Sequence, residues 1–216
     1  LAHSVEAAAQ NGRASPMDSS TCSHGGVVVI SDQIESELSY LYRRELSMPD
    51  GKQTWHIHEL DLGVVSDDVY LVIGSTGVSA PTSKQVAKVA NMLKQNPDRM
   101  EEIETIGKIA RRGIDALICG DYDAVGRTMT ENQIMLKSIG VSSPELDALI
   151  KAAAPSSLGA KLTGAGGGGC MVALTKNPKI TSDAIELAGG RTLISKLGST
   201  GMMINSPNND AFWTKK

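Results

Sequence analysis

The sequence predicts an α+β fold, a largely antiparallel sheet covered by a layer of helices. Two observations carry that expectation. Short apolar runs bounded by turn formers lie at residues 27–30, 69–73, 160–163 and 170–175, towards the two ends of the chain. Between them, from Thr82 onward, apolar residues recur at helical spacing instead. At 216 residues and 41% hydrophobic content, the chain can bury the core of one domain or of two small ones.

Residues 1–10 read as the end of an Ala-rich helix entered without a cap, which suggests a longer protein upstream. Asn11, Gly12 and Pro16 supply a turn, and residues 17–26 are small and polar before the strand at 27–30. Residues 32–39 form a connection. Residues 40–46 and 54–60 flank Pro49-Asp50-Gly51 and predict a hairpin. The run at 69–73 is a strand closed by Gly74-Ser75-Thr76-Gly77.

Val86, Val89, Ala90 and Leu93 then give the stripe of a helix that Thr82 or Ser83 could cap. After Pro97, a second helix carries Ile103, Ile106, Ala110, Ile114 and Leu117, and Val125, Met129 and Leu136 mark a third before Gly140. Ser143 caps a fourth, with Pro144 in its first turn, where a missing N–H costs nothing. Strands at 160–163 and 170–175 flank a glycine run, a helix covers 182–188, and a last strand lies within 191–204.

Composition narrows the function classes. With 21 basic and 24 acidic residues there is no broad cationic surface for a phosphate backbone, so nucleic acid is not an expected partner. No apolar run reaches the roughly 20 residues that cross a bilayer, and a cytoplasmic protein without membrane contact is expected. Cys22, Cys119 and Cys170 are an odd number at wide spacing and read as reduced thiols.

Gly164-Ala165-Gly166-Gly167-Gly168-Gly169 is the strongest feature. Glycine in an ordered domain loses more conformational entropy than any other residue, so such a run needs a compensating reason. Successive N–H groups free of side chains can converge on an anion; the plainer alternative is a flexible turn between two strands. The run fits neither the nucleotide phosphate loop, which needs Gly-Lys-Ser or Gly-Lys-Thr, nor a dinucleotide-binding unit.

Asp18, in a Ser-rich turn before His24-Gly25-Gly26, would by itself be a cap or turn former. Asn132 falls seven positions after Val125 and is expected to point inward, where the plain role is to brace a loop. Thr82 reads first as a helix cap. His56 and His58 alternate on a strand without a third metal ligand and are expected to face solvent; Arg111-Arg112 is expected to be a solvated helix face. His24 is expected to make a structural hydrogen bond.

The segment from Lys161 to Cys170, with Gly159-Ala160 before it and Met171 to Leu174 after it, resembles the third motif of the GHMP small-molecule kinases. Ser15 to Gly26, Leu71 to Thr82 and Asp121 to Val141 are similar to segments of the family's mevalonate kinases, above all the short archaeal type; Pro16 stands where the commoner form has Gly.

The resemblance implies a C-terminal, ferredoxin-like domain over residues 67–216. Residues 1–66 would be a remnant of the amino-terminal, catalytic-Asp region with its connecting hairpin. It implies ATP-dependent phosphorylation of the 5-hydroxyl of mevalonate, with Asp18 as base or orienter. Gly164, Ala165, Gly166, Gly167 and Gly168 would line the nucleotide site, and Thr82 and Asn132 would be substrate contacts. ATP and Mg2+ are the implied cofactors, although the Gly-Leu-Gly-Ser-Ser phosphate loop and the main Mg2+ ligands of the family fall in a segment upstream of this chain. A homodimer is compatible with the resemblance. Phosphomevalonate kinase, homoserine kinase, mevalonate diphosphate decarboxylase and a non-catalytic domain are the alternatives. The kinase reading requires that the glycine run fold in against the turn bearing Asp18.

Overall fold

An Ala-rich stretch without turn formers makes α1 (Ala2–Ala9), in which His3 and Ala7, one turn apart, are buried. In the computed structural model, which describes residues 2–10, 14–48, 51–63 and 68–203, His3 Nε2 lies 3.0 Å from Ala14 O and its ring meets Trp55 edge-on at 5.5 Å. The turn formers Asn11 and Gly12, the hairpin residues Pro49 and Asp50, and the end of the last expected strand beyond Met203 lie outside the described residues. α2 (Met17–His24) follows Pro16, which is buried and whose carbonyl accepts Ser20 N–H at 2.9 Å.

β1 (Val27–Ser31), β2 (Ser39–Met48) and β3 (Gly51–Leu60) build a three-stranded antiparallel sheet in the order β1-β3-β2, with the predicted hairpin formed by β2 and β3. Burial along the second half of β3 departs from the expectation for its histidines. Ile57 and His58 are both wholly buried, and His56 is half-buried. What lies over this face explains His58: its Nε2 accepts the Glu35 N–H at 3.1 Å from the β1–β2 connection, and the Tyr40 ring of β2 meets it at 5.6 Å.

β4 (Tyr70–Ser75) lies in a second sheet, followed by α3 (Thr82–Gln95), α4 (Met100–Ile118), α5 (Tyr122–Ser138) and α6 (Pro144–Ala153). β5 (Gly159–Thr163), β6 (Cys170–Thr175), α7 (Pro178–Leu187) and β7 (Arg191–Lys196) complete it, in the order β5-β6-β4-β7, with every pair antiparallel. The expected antiparallel sheet covered by helices is this second one, and the strands of residues 27–60 pair among themselves in the first. α7 begins at Pro178, four residues before the apolar pattern announced it, because Pro fits the first helical turn at no cost.

The main core lies between the second sheet and the helices. Val72, Leu162, Met171 and Ala173 point from the strands at Leu146, Leu149 and Ala153 of α6 and Ile185 of α7, all buried. Ser143 caps α6 as predicted, accepting Leu146 N–H at 3.3 Å. Helix and strand backbones approach closely where α5 crosses β5: a side chain at Gly159 would stand 1.9 Å from Gly126 O. The carbonyls at the end of α5 are met by cations from other elements, Lys88 Nζ on Gly140 O at 2.5 Å and Arg99 Nη2 on Ser138 O at 2.8 Å. Among the described residues no helix is long and apolar enough to cross a membrane.

The two arginines expected on a solvated face are exposed but paired. Arg112 pairs with Glu131 of α5, and Arg111 forks onto Glu35 at 2.8 and 2.9 Å, tying α4 to the first sheet. Hydrogen bonds from Arg111, then from Ser31, hold the Glu35 carboxyl down from 4.5 to about 2. A carboxylate held below its unfolded value stabilises the fold above that value and loses the contribution as pH falls through the folded one. Glu35→Gln should therefore cost a constant amount above pH 5, roughly 1 kcal/mol given that Arg111 is half exposed. Thermal unfolding followed from pH 7 to pH 2 should show wild type and variant converging between pH 4.5 and 2; parallel curves would remove Glu35 as the cause.

Candidate functional site

The glycine run is the β5–β6 connection, and it is a shaped loop rather than a slack turn. Gly164, Gly166, Gly167, Gly168 and Gly169 all have positive φ. Two carbonyls outside the loop fix its course: Gly167 N–H donates to Val141 O and Gly169 N–H to Val78 O, both at 2.7 Å. Gly169 O in turn accepts the N–H and the hydroxyl of Thr76, each at 2.9 Å. Side chains are sterically barred at the crest. A Cβ on Gly166 would stand 2.1 Å from Val141 O, and one on Gly168 would stand 2.6 Å from Val78 O. The N–H groups of Gly166 and Gly168 make no hydrogen bond among the described residues.

The neighbours come from two helices and their flanks. Val78 precedes α3, Val141 follows α5, and the Gln85 carboxamide, in the first turns of α3, packs over Gly167. Thr82 opens that same helix and is half-buried. It does not cap it: Pro81, extended at φ −63° and ψ 123°, precedes the helix, and no side chain accepts a first-turn N–H. The start of α3 and its open N–H groups thus stand beside the glycine loop.

The bracing role that sequence gave to Asn132 falls to its neighbour Gln133. Asn132 is half-buried; Gln133 is buried, accepting Leu162 N–H at 2.9 Å on β5 and donating to Ser142 Oγ at 3.2 Å. Sequence reasoning also passed over Lys161, two residues before the loop's first flank. Its ammonium donates to Leu162 O at 2.8 Å, has no carboxylate within ion-pair distance among the described residues, and is held below the usual lysine range by burial. The signal was present: a lone Lys between Ala160 and Leu162 on a strand with a buried face.

Asp18 stands apart. It is exposed in the first turn of α2, and no described contact joins it to the glycine loop. The α2 helix is held instead by Tyr42, whose hydroxyl donates to Ser20 Oγ at 3.0 Å, by ring contact of His24 with Tyr42 at 5.4 Å, and by the segment after β7. No three His, Cys, Asp or Glu side chains converge as a metal site among the described residues.

The family described as GHMP kinases C terminal matches residues 109–186, from the second half of α4 through the glycine loop to α7. The chain carries a GHMP kinase C-terminal domain. The mixed helical and antiparallel architecture is that domain's fold.

Curated relatives are named mevalonate kinase. That of Pyrococcus furiosus is 36% identical over 142 residues, 62% of this chain and 42% of the relative; that of Methanothermobacter thermautotrophicus is 33% identical over 174 residues, 80% and 49%. The chain thus spans less than half the length of these relatives. Among solved structures, L. major mevalonate kinase in complex with R-mevalonate is similar over 72% of this chain and 50% of that one, at 26% identity and a TM-score of 0.57. In this GHMP kinase C-terminal domain, the glycine loop and the opening of α3 form one neighbourhood, and no described contact joins Asp18 to it.

Proposed function

We propose that the chain is the C-terminal part of an ATP-dependent kinase that phosphorylates the 5-hydroxyl of mevalonate, with residues 67–216 as its C-terminal domain and residues 1–66 as the remainder of the region bearing Asp18. The observation that supports it most is the glycine loop itself, whose crest admits no side chain and keeps the Gly166 and Gly168 N–H groups uncommitted. Similarity to mevalonate kinases, one of them solved with R-mevalonate, points to the acceptor.

ATP supplies the phosphoryl group: the acceptor oxygen forms a bond to the γ-phosphorus, the bond to the bridging oxygen breaks, and ADP leaves. The chain's own residues have three tasks in that transfer. Gly166 and Gly168 N–H, with Ala165 and Gly167 shaping the turn, offer donors to phosphate oxygens, and the start of α3 adds the positive end of a helix. The Lys161 ammonium, poorly solvated and unpaired, adds a positive charge that a phosphate would neutralise. Asp18 orients the hydroxyl and takes its proton; because the transition state is loose, positioning counts for more than base strength, and an ordinary carboxylate suffices. Thr82 and Asn132 would contact the acceptor. Among the described residues no three His, Cys, Asp or Glu side chains converge to hold Mg2+.

A coupled ADP-release assay with mevalonate, phosphomevalonate and homoserine tests this, on the chain alone and on the protein at the full length of its relatives. Mevalonate should be the preferred acceptor, and Asp18→Asn should lower turnover by roughly 100- to 10,000-fold. Near-normal turnover in that variant would discard Asp18, and preference for another acceptor would reassign the substrate.

A further inference from the structure

Beyond β7 the chain turns at Gly198 and runs back across the end of α2. Three main-chain contacts hold it there. Gly26 N–H donates to Ser199 O at 2.8 Å, Gly25 and Thr200 form an antiparallel bridge, and Met202 N–H donates to Cys22 O at 3.0 Å. The crossing is backbone on backbone. A Cβ on Gly25 would stand 2.0 Å from Gly201 N, and one on Gly201 would stand 2.4 Å from the carbonyl carbon of His24. Gly25 also has φ 72° and ψ −162°, a conformation side chains disfavour. Neither position can carry any side chain while the contact lasts.

This crossing joins the two separate neighbourhoods of the site. α2 carries Asp18 in its first turn and meets residues 199–202 at its last. Those residues continue β7, β7 pairs with β4 along its whole length, and β4 runs into Thr76, which holds the glycine loop through Gly169 O. The route from the Asp18 helix to the loop is therefore a run of main-chain hydrogen bonds through 199–202, β7 and β4. β1 and β2, which also meet α2, the latter through Tyr42, belong to the first sheet and pair with neither β4 nor β7.

We infer that residues Ser199–Met202 are a strap that sets the stance of the Asp18 helix relative to the glycine loop, with Gly201 as the positioning residue on which its seat depends. The inference rests on the reading of Asp18 as the group that orients the acceptor, but its geometric half does not.

Two measurements separate the halves. In a Cys119→Ser, Cys170→Ser background, spin labels on Cys22, which is exposed on α2, and on Thr163→Cys, which is exposed beside the loop, report the separation of the two neighbourhoods. The parent should give one narrow distance distribution, and Gly201→Val should at least roughly double its width. Met202→Pro, which deletes the donor to Cys22 O and restrains the backbone at 201–202 without adding a Cβ at Gly201, covers the case in which Gly201→Val does not fold and should broaden it in the same direction. An unchanged distribution in the folded variants overturns the strap. In the ADP-release assay both variants should lose roughly tenfold or more in kcat with KM for ATP and mevalonate within about twofold, the pattern of lost orientation rather than lost binding. Broadening without loss of kcat would keep the strap and reject its link to Asp18; absence of transfer in the parent would reject the kinase reading and leave the distance result to decide the strap.

Discussion

Gly166→Val should abolish the glycine loop's shape and with it most phosphoryl transfer, a loss of roughly 100-fold or more in kcat/KM. The reason is contact with the main chain. The new Cβ would lie 2.1 Å from Val141 O, and Val141 O is the acceptor that fixes Gly167 N–H, so the loop can make room only by giving up its anchor. A β-branched residue at φ 81° adds backbone strain of about 1–3 kcal/mol. Thermal unfolding should show a loss of roughly 2–4 kcal/mol in total. Gly164→Ala is the internal control: φ there is 77°, yet nothing lies within 4 Å of its Cβ, so only the strain remains, at about 1 kcal/mol. Equal effects of the two substitutions would show that the Val141 contact does not shape the loop.

The largest loss of stability without any touch on the loop should come from Leu146→Ala. Leu146 is wholly buried in the first turn of α6, among the residues that meet β4, β5 and β6. Removing its branched end leaves a void that close-packed neighbours refill only in part, at a cost of roughly 2–5 kcal/mol. Chemical denaturation should show a lowered midpoint at unchanged slope. Leu187→Ala, at the end of α7 and 90% exposed, should stay within about 0.5 kcal/mol of wild type. A small effect at Leu146 would mean that α6 collapses onto the sheet without cost, against the density of the core.

What could be read beforehand follows from how local each signal is. The stripes of α3 to α5, the Ser143-Pro144 start of α6, the β2–β3 hairpin and the strands around the glycine run depend on neighbours within a few positions, and all are found. The solvent-facing expectation for His58 failed because alternation along a strand says which faces differ, whereas burial of a face depends on what folds over it, here the β1–β2 connection and the Tyr40 ring.

At the site, the glycines and Thr82 were visible as residue types, and the structure brings the start of α3 to the loop. Invisible were the anchors Val78 and Val141, since they act through carbonyls that every residue has. Gln133 was overlooked in favour of Asn132 because the two lie 100° apart on the helix, and only the position of β5 decides which turns inward. The expected meeting of Asp18 with the glycine loop has no direct contact among the described residues; two main-chain crossings and a pair of strands lie along the route between them.

The choice of carbonyl oxygens as anchors means that gripping the loop places no demand on side-chain chemistry, since what grips it is common to all twenty amino acids. Exposed Val78 can be exchanged over evolutionary time so long as its peptide group stays where it is, whereas buried Val141 must still fill the core. Selection then falls unevenly, heavily on the bare positions of the loop and lightly on the rim around them, so homologous chains can drift far apart in composition and still present the same curved row of amides.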